Sequence, residues 1–403
     1  MRPRLALGLL AAYVFFRAAL GAALNPLYNG PDEFGHLEYV TAVAEGRPPS
    51  GVETRQLPTY YMLAALAWRL TDGGTPLERS FSVRLLSGVA GVVTLMATWA
   101  AARRVWPEKD AYAPLSVLWL LAPGHLFLLA SVTNDPLAAA AAALSFLAAV
   151  WVWTAPAQRW RWAVWGLASA VALALKPTAV PVVMGALAAF AWRGRRALLR
   201  AKAARIGIAL CVIAGLVVNA YLAIQSPTLS AAHSLARYWP QMALRAPVAY
   251  LTRGGVVETF RTWWYGYDYL VRWPSTLELG VAAACLALVG AAGIGLALGG
   301  RRGAPSIVWA SAAAQMAFVL GRYGFGDVLQ INMGGAAQAK SLFAALAPLA
   351  LLGAAGISEV GRRLWLSPRF VTLGLFGAFL AIDAVSLAVT TWSHYRWWQL
   401  GGA

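Results

Sequence analysis

The run PLAAAAAALSFLAAVWVWT, residues 136–154, contains no charged side chain and is long enough to cross a lipid bilayer as a helix. Similar runs recur along the chain. They are dominated by Ala, Leu and Gly and lack the alternation of a transmembrane β-barrel. The chain is 60% hydrophobic and 12% charged, whereas a soluble domain has about 25% charged residues. The sequence therefore predicts an all-α polytopic membrane protein.

Eleven stretches have the length and composition of a transmembrane helix. The break at Lys176-Pro177 divides one long apolar region into two short helices, because proline interrupts the helical hydrogen bonds. The predicted spans are residues 5–24, 80–102, 112–131, 136–154, 162–175, 178–192, 204–224, 276–298, 304–321, 341–357 and 370–391. An odd number of spans places the two chain termini on opposite sides of the membrane.

The basic residues predict the orientation of the chain. The formal net charge is +17, but the Lys and Arg residues lie in the short links between apolar runs, and all these links fall on one face. The positive-inside rule then predicts a cytoplasmic N-terminus, a C-terminus on the outer face of the cytoplasmic (inner) membrane, and membrane lipids rather than nucleic acid as partners. The basic links contain Arg103, Arg104, Lys109, Arg159, Arg161, Arg193, Arg195, Arg196, Arg200, Lys202, Arg205, Arg301, Arg302, Arg362, Arg363 and Arg369.

We expect a single membrane domain over residues 1–403, with two long loops on the outer face, at 25–79 and 225–275, and no soluble C-terminal domain. Residues 56–70, QLPTYYMLAALAWRL, are apolar almost all round with Tyr, Trp and Arg at the edges, which predicts a helix lying in the membrane interface. Residues 260–273, FRTWWYGYDYLVRW, interleave aromatic and charged residues like an aromatic belt beside a cleft.

Two further features are the N-terminal segment and the two cysteines. Residues 1–24 resemble a signal peptide, but Arg17 interrupts the apolar core, so we expect this segment to be retained as an anchor. Cys211 and Cys285 both fall inside apolar runs, which predicts neither a disulfide nor a metal site.

The stretch YNGPDEFGHLE, residues 28–38, is the acidic island of a basic chain. Residues 29–33 have the pattern of a helix start, with a capping residue, a proline and acids at the positive end of the helix dipole. Asp32 and His36 would also share a helix face, as a general-base pair or as two metal ligands. At this point capping and catalysis are equally supported, and Glu38 is predicted to be structural.

Other polar residues occur where apolar runs end or are interrupted. Asn134-Asp135 begins the fourth span, as a helix cap or as part of a site on the same face as Asp32. Lys176 lies between apolar runs, either snorkelling to the interface or holding a phosphate oxygen. Arg322 and Lys340 flank the loop before the tenth span and are further phosphate-ligand candidates. Asp383, inside the last span, is expected to pair with another intramembrane polar group.

These residues together resemble a known family. Pro31-Asp32-Glu33 with His36 after the first span resembles the acidic first outer loop of the C-type membrane glycosyltransferases, which include the protein mannosyltransferases and the aminoarabinose transferase acting on lipid A. Further resemblances, closest to a bacterial branch of that superfamily, are found in order at residues 56–61, 84–87, 102–104, 131–135, 176–178 and 262–267.

The resemblance implies a sugar donor linked to a polyprenyl phosphate, a glycan, lipid or protein acceptor, and inversion at the anomeric carbon. Carried onto this chain, it makes Asp32 the base that deprotonates the acceptor hydroxyl, oriented by Glu33 or His36. Lys176 with Arg322 or Lys340 would stabilise the phosphate leaving group. A divalent cation, Mg²⁺ or Mn²⁺, is left open. Substrate contacts are expected from Tyr60, Tyr61, Asn134, Asp135, Trp263 and Tyr267.

Two other classes of function remain open at this point. A transporter or flippase of a lipid-linked sugar would use the same intramembrane charges, but we find no convincing inverted repeat in the sequence. A non-catalytic subunit for polysaccharide assembly would not need the charged motif. A glycosyltransferase is therefore the favoured prediction.

Overall fold

The computed structural model describes residues 3–200, 202–225, 250, 255–264, 275–299, 305–328 and 339–399. Over these residues the regular structure is entirely helical. The first helices are α1 (Pro3–Leu24), α2 (Glu33–Ala44), α3 (Thr59–Arg69), α4 (Pro76–Val105), α5 (Tyr112–Leu118), α6 (Pro123–Leu129), α7 (Asp135–Thr154) and α8 (Arg159–Leu175). They are followed by α9 (Val180–Arg200), α10 (Lys202–Gln225), α11 (Gly255–Trp264), α12 (Ser275–Gly299), α13 (Ser306–Val328), α14 (Leu346–Arg363) and α15 (Pro368–Gln399). Short 3₁₀ helices cover Val52–Arg55, Trp119–Leu121, Pro177–Ala179 and Ala339–Ala345.

The chain is an all-α multi-pass membrane protein, as predicted. Among the described residues, six helices are long and apolar enough to cross a membrane, or seven if a bent pair counts as one span. Three shorter apolar helices cover Pro177–Trp192, Ala204–Val218 and Ser306–Leu320. Ten of the eleven predicted spans overlap one of these helices or the bent pair, and the remaining one, 162–175, lies within α8. The count of eleven crossings is not confirmed.

Two breaks in the helices have clear local causes. α8 ends at Leu175 and α9 begins at Val180, so the predicted division at Lys176-Pro177 is confirmed. The third predicted span is not straight, because its two halves meet at Pro123 with a bend of 69°. The residue before it, Ala122, has φ −56° and ψ 130°, the extended conformation that a following proline favours.

The long helix α4 lies at the centre of the bundle and packs against α1, α7 and α5. Further out, α8 packs between α7 and α10, α9 packs on α13, and α12 packs on α14. The last pair approaches closely through small residues: a Cβ added to Gly295 would lie 1.9 Å from the Gly356 carbonyl oxygen. Close backbone contact through glycine is typical of helix pairs in membranes, where it maximises van der Waals packing.

The first long loop forms a small helical layer at the end of the bundle where α1 ends and α4 and α7 begin. Within it α2 packs on α3, and α3 packs on α4. Tyr60 and Tyr61 on α3 face the core of this layer, while Met62 and Leu66 are more than 60% exposed. This division agrees with the predicted interfacial helix at residues 56–70, whose depth in a membrane stays a prediction.

Asp383 pairs with an intramembrane polar group, as predicted. The Nε atom of Arg17 on α1 donates to both carboxylate oxygens of Asp383 on α15, at 2.9 and 3.1 Å. Tyr13, one helical turn before Arg17, donates its hydroxyl to the same carboxylate. The pair ties the first described helix to the last one, and it explains why Arg17 interrupts the first apolar run.

Candidate active site

Asp32 lies at the N-cap position, immediately before α2, but its side chain does not cap the helix. Its backbone is left-handed, with φ 59° and ψ 11°, and its side chain makes no capping hydrogen bond. Aspartate tolerates this conformation better than most residues, at a cost of roughly 1 kcal/mol. The side chain instead accepts a hydrogen bond from Lys340 Nζ at 2.7 Å. Of the two interpretations left open by the sequence, capping by the Asp32 side chain is therefore not supported.

A cavity of about 390 Å³ opens beside Asp32. It lies where α2, the 3₁₀ turn at Val52–Arg55, the start of α7, the α8–α9 break and the residues before α14 come together. Its lining is Asp32, His36, Glu53, Gln56, Leu57, Asp135, Leu175, Lys176, Pro177, Thr178, Phe318, Lys340 and Ser341. The volume falls in the roughly 300–1,000 Å³ range of small-molecule sites, and carboxylates and lysines form its polar wall.

The ion pair with Lys340 sets the electrostatic state of Asp32. Burial alone would raise the pKa of the Asp32 carboxyl. The charge and the hydrogen bond of Lys340 together outweigh this effect, so the net pKa lies below the usual 3.8. The His36 imidazole also lowers this pKa, while Asp135 raises it. Asp32 is therefore ionised at neutral pH.

Lys176 forms a second, more buried ion pair in the same cavity. Its Nζ atom lies 2.6 Å from Asp135 Oδ1 and 2.7 Å from Asn134 Oδ1. Asn134 in turn donates to Gln56 Oε1. The break after α8 leaves Lys176 in an extended conformation, with φ −159° and ψ 132°, which points it across to the start of α7. The structure thus brings Asn134, Asp135 and Lys176 together beside Asp32.

His36 lies one turn after Asp32 and is 2% exposed. Its Nδ1 atom is 2.8 Å from the Tyr61 hydroxyl oxygen and 3.9 Å from Glu53 Oε2. Burial, reinforced by the positive charge of Lys176, lowers the pKa of His36 to about 3. The imidazole is therefore neutral at physiological pH and serves as a fixed wall of the cavity.

This burial predicts acid sensitivity of the fold. An exposed histidine charges near pH 6.5, so neutral His36 contributes stability that is full above pH 6.5 and is lost as the pH falls towards 3. At pH 5 we expect a loss of about 2 kcal/mol relative to pH 7. His36→Asn, which keeps a hydrogen-bonding group towards Tyr61, should show a smaller decrease in thermal unfolding midpoint between these pH values in detergent. An unchanged acid dependence would contradict the assignment.

The position of Glu33 differs from the predicted catalytic one, because its side chain does not line the cavity. It is 0% exposed, and its carboxylate binds Arg84 on α4 with two bonds, Nε to Oε1 at 2.9 Å and an Nη atom to Oε2 at 3.0 Å. The backbone amides of Gly30 and Val132 donate to the same carboxylate, at 3.0 and 2.9 Å. Glu33 is thus a structural anchor for the start of α2, and the predicted catalytic role is not supported.

Several residues predicted to contact the substrate do not line the cavity. Tyr60 and Tyr61 are 1% and 0% exposed, and the Tyr61 ring stacks on Tyr39 with centroids 3.7 Å apart, so both belong to the loop core instead of the cavity wall. Trp263, on α11, is half-buried against Phe343 at a centroid distance of 5.4 Å. The side chain of Arg322, on α13, and the whole of Tyr267 lie outside the described residues.

Sequence reasoning overlooked two residues of this region. Glu53 lines the cavity, accepts a hydrogen bond from Gln56 and has a pKa raised by burial and by the charge of Asp32. It is a lone acid in a single 3₁₀ turn, and no spacing pattern marks it. Arg84 had a usable signal, because a single arginine inside an apolar span is a candidate for a specific partner.

The residues leave no ready-made metal site. In the described part of the chain, no group of three or more His, Cys, Asp or Glu side chains is arranged to hold a metal ion. The nearest candidates, Asp32 and Asp135, each bind a lysine. The requirement for Mg²⁺ or Mn²⁺ stays open, and we assign no reaction step to a metal.

Solved structures resemble the chain over most of its length at low identity. ArnT from Cupriavidus metallidurans bound to undecaprenyl phosphate is 15% identical, with a TM-score of 0.42 over 88% of this chain and 78% of that chain. Its apo form has a TM-score of 0.44. The oligosaccharyltransferase of Archaeoglobus fulgidus, in complex with Zn and sulfate, is 12% identical with a TM-score of 0.48, covering 94% of this chain and 53% of that chain.

Comparison of the amino-acid sequence gives a match to a protein family. A search of the curated proteins gave no match. Residues 58–221, from just before α3 to near the end of α10, match the family described as dolichyl-phosphate-mannose-protein mannosyltransferase. Over that stretch of the chain, the match confirms the resemblance to the protein mannosyltransferases.

Proposed function

We propose that this protein is a glycosyltransferase that moves a sugar from a polyprenyl-phosphate donor to an acceptor hydroxyl. The observation that carries the proposal is the cavity that the Asp32 carboxylate shares with two lysines, Lys176 and Lys340. Such a reaction needs a base on the acceptor side and cations on the phosphate side. The family match over residues 58–221 supports the same donor class, since dolichyl phosphate is a polyprenyl phosphate.

The proposed step is a single displacement with inversion. The Asp32 carboxylate takes the proton of the acceptor hydroxyl while the hydroxyl oxygen forms a bond to the anomeric carbon. The bond from that carbon to the phosphate oxygen breaks, and its electron pair leaves with the polyprenyl phosphate. Lys176 and Lys340 stabilise the added negative charge on the phosphate. The proton on Asp32 then passes to solvent through the half-exposed side of the carboxyl.

The apolar part of the cavity suits the lipid portion of the donor. Leu57, Leu175 and Phe318 line it beside the two lysines. A polyprenyl phosphate presents its charged head and its first apolar isoprene units within a few ångströms of one another. One wall of this cavity offers cations and the adjoining wall offers hydrocarbon, so both parts of the donor have a matching surface.

The basic links predict where the reaction takes place. They assign the α9–α10 and α14–α15 connections to the cytoplasm, which puts the cavity end of the bundle on the outer face of the cytoplasmic membrane. We propose that the donor is used from the outer leaflet, and that the product belongs to an envelope polysaccharide, a glycolipid or a glycosylated protein.

Release of polyprenyl phosphate from a radiolabelled lipid-linked sugar tests the proposal. The purified protein in detergent micelles has no sealed compartment, so turnover there requires chemistry and not transport. We expect polyprenyl phosphate and glycosylated acceptor to form together when candidate donors and an acceptor extract are supplied. Activity confined to sealed vesicles, with the donor recovered intact, would favour a transporter instead.

Lys176 gives a prediction for the leaving-group side. Lys176→Gln should lower kcat by about 10²-fold, the typical loss when one stabilising donor is removed from a transition state. Because that change also leaves the buried Asp135 unpaired, Lys176→Gln/Asp135→Asn serves as the second variant, regaining thermal stability but not turnover. Lys109→Gln, which removes a lysine stacked on Tyr112, is the matched control with unchanged kcat. Normal kcat in Lys176→Gln would remove Lys176 from the mechanism.

A further inference from the structure

Lys340 has two proposed tasks that compete with each other. In this structure its ammonium group binds the Asp32 carboxylate at 2.7 Å. The proposed reaction needs Asp32 as a base for the acceptor and Lys340 as a cation for the donor phosphate. A base neutralised by a lysine is a poor proton acceptor, and a lysine held by a carboxylate binds phosphate less strongly.

The two ion pairs of the cavity differ in how easily they can separate. The Asp135 side chain, bound to Lys176, is 6% exposed, whereas the Asp32 side chain is 51% exposed. Removing the cation from a buried carboxylate leaves an uncompensated charge, which is strongly unfavourable. Water can hydrate Asp32 when Lys340 leaves, so the cost of separation is small there. The structure therefore has one fixed cation, Lys176, and one exchangeable cation, Lys340.

We propose that the donor phosphate draws Lys340 away from Asp32, so that binding of the donor releases the catalytic base. The inference rests on the proposed function and adds to it a coupling between the two substrate sites. Lys340 acts as a positioning residue for Asp32 in the free enzyme and as a phosphate ligand in the complex. No covalent step is involved, because one ion pair replaces another.

The charges around Asp32 determine what its release does. His36, Lys340 and Asp135 act on its carboxyl, and Glu53 shares the cavity. With Lys340 moved to the phosphate, the largest pKa-lowering contribution disappears and burial dominates, so the pKa of Asp32 rises and the carboxylate becomes a stronger base. The donor phosphate, being negative, raises this pKa further. The site is thus activated only when the donor is present.

Binding of undecaprenyl phosphate in detergent, measured without turnover, tests the exchange. Asp32→Asn removes the competitor for Lys340, and Asn also tolerates the left-handed backbone of this position. We expect the affinity of Asp32→Asn to be about fivefold higher than that of the wild type, the factor that corresponds to a partly exposed ion pair. In the Lys340→Gln background the same change should raise affinity less than about twofold.

The double-variant comparison separates exchange from simple charge repulsion. Loss of the Asp32 charge favours binding of an anion in both backgrounds. An equal gain in affinity for undecaprenyl phosphate with and without Lys340 would therefore overturn the proposal. No gain in either background would overturn it as well. Glu45→Gln, which breaks the exposed Glu45–Arg47 pair in the same loop, is the control and should leave affinity unchanged. If the wild type bound no polyprenyl phosphate at all, the proposed function itself would fall, and the exchange with it.

Discussion

Asp32→Asn lowers kcat for sugar transfer by about 10³-fold while the protein stays folded, within the roughly 10²–10⁴-fold contribution of a general base. The amide has the size of the carboxyl group but cannot accept the acceptor's proton at neutral pH. The backbone of Asp32 is left-handed, and Asn is the residue that best replaces Asp there. Activity is measured as release of polyprenyl phosphate, and folding as the thermal unfolding midpoint in detergent.

A neighbouring acid provides the matched control for this result. Glu38 lies on the same helix but contacts Ser50 on the other side of the loop. Glu38→Gln should therefore retain wild-type turnover, which shows that loss of an acid from α2 is not by itself inactivating. Wild-type turnover in Asp32→Asn would exclude Asp32 as the base. In that case Glu53, which lines the same cavity, would be the next carboxylate to replace.

The acid limb of the pH profile follows from the same ion pair. Because Lys340 holds the pKa of Asp32 below 3.8 in the free enzyme, kcat/KM should not decrease through titration of Asp32 until the pH falls below about 4. In Lys340→Gln the remaining effect of burial raises the pKa, and the acid limb of kcat/KM moves to higher pH. An acid limb at the same pH in both proteins would mean that Lys340 does not set the state of Asp32.

Part of the cavity could be predicted because topology brings distant segments to one end of the bundle. Asn134-Asp135 starts a span and Lys176 ends one, and both were assigned to the face that carries Asp32. Asp32 and His36 also share the cavity, as their four-residue spacing predicts. In each case the position of an apolar run fixes where its polar end must lie, so pattern alone was sufficient.

The role of Glu33 could not be predicted from its place in the motif. Asp32 precedes the helix with a left-handed backbone and lines the cavity, whereas the Glu33 side chain points into the bundle. Which of the two faces inward depends on a partner, Arg84, that is distant in sequence. Glu53 could not be predicted for a related reason: it lies on a short 3₁₀ turn within a long loop, and such a turn carries no periodic signal.

The Glu33–Arg84 pair gives the second large effect, on stability instead of chemistry. Both side chains are 0% exposed, and Arg84 also donates to the carbonyl oxygens of Ala22, Asn25 and Pro26 at 2.6–3.0 Å. One guanidinium thus connects the end of α1, the start of α2 and α4. Removing one partner of a buried pair typically costs about 3–5 kcal/mol, because the other charge is left uncompensated.

Glu33→Gln and Arg84→Met should therefore both lower the thermal unfolding midpoint strongly, and any loss of activity should follow the loss of folded protein. Replacing both residues with apolar ones often recovers the stability of a buried pair. Here we expect little recovery in Glu33→Leu/Arg84→Met, because the amides of Gly30 and Val132 and the three carbonyl groups lose their partners as well. Full recovery in that double variant would mean that the pair acts only as two opposite charges. A stable but inactive Glu33→Gln would instead restore the catalytic role that the geometry argues against.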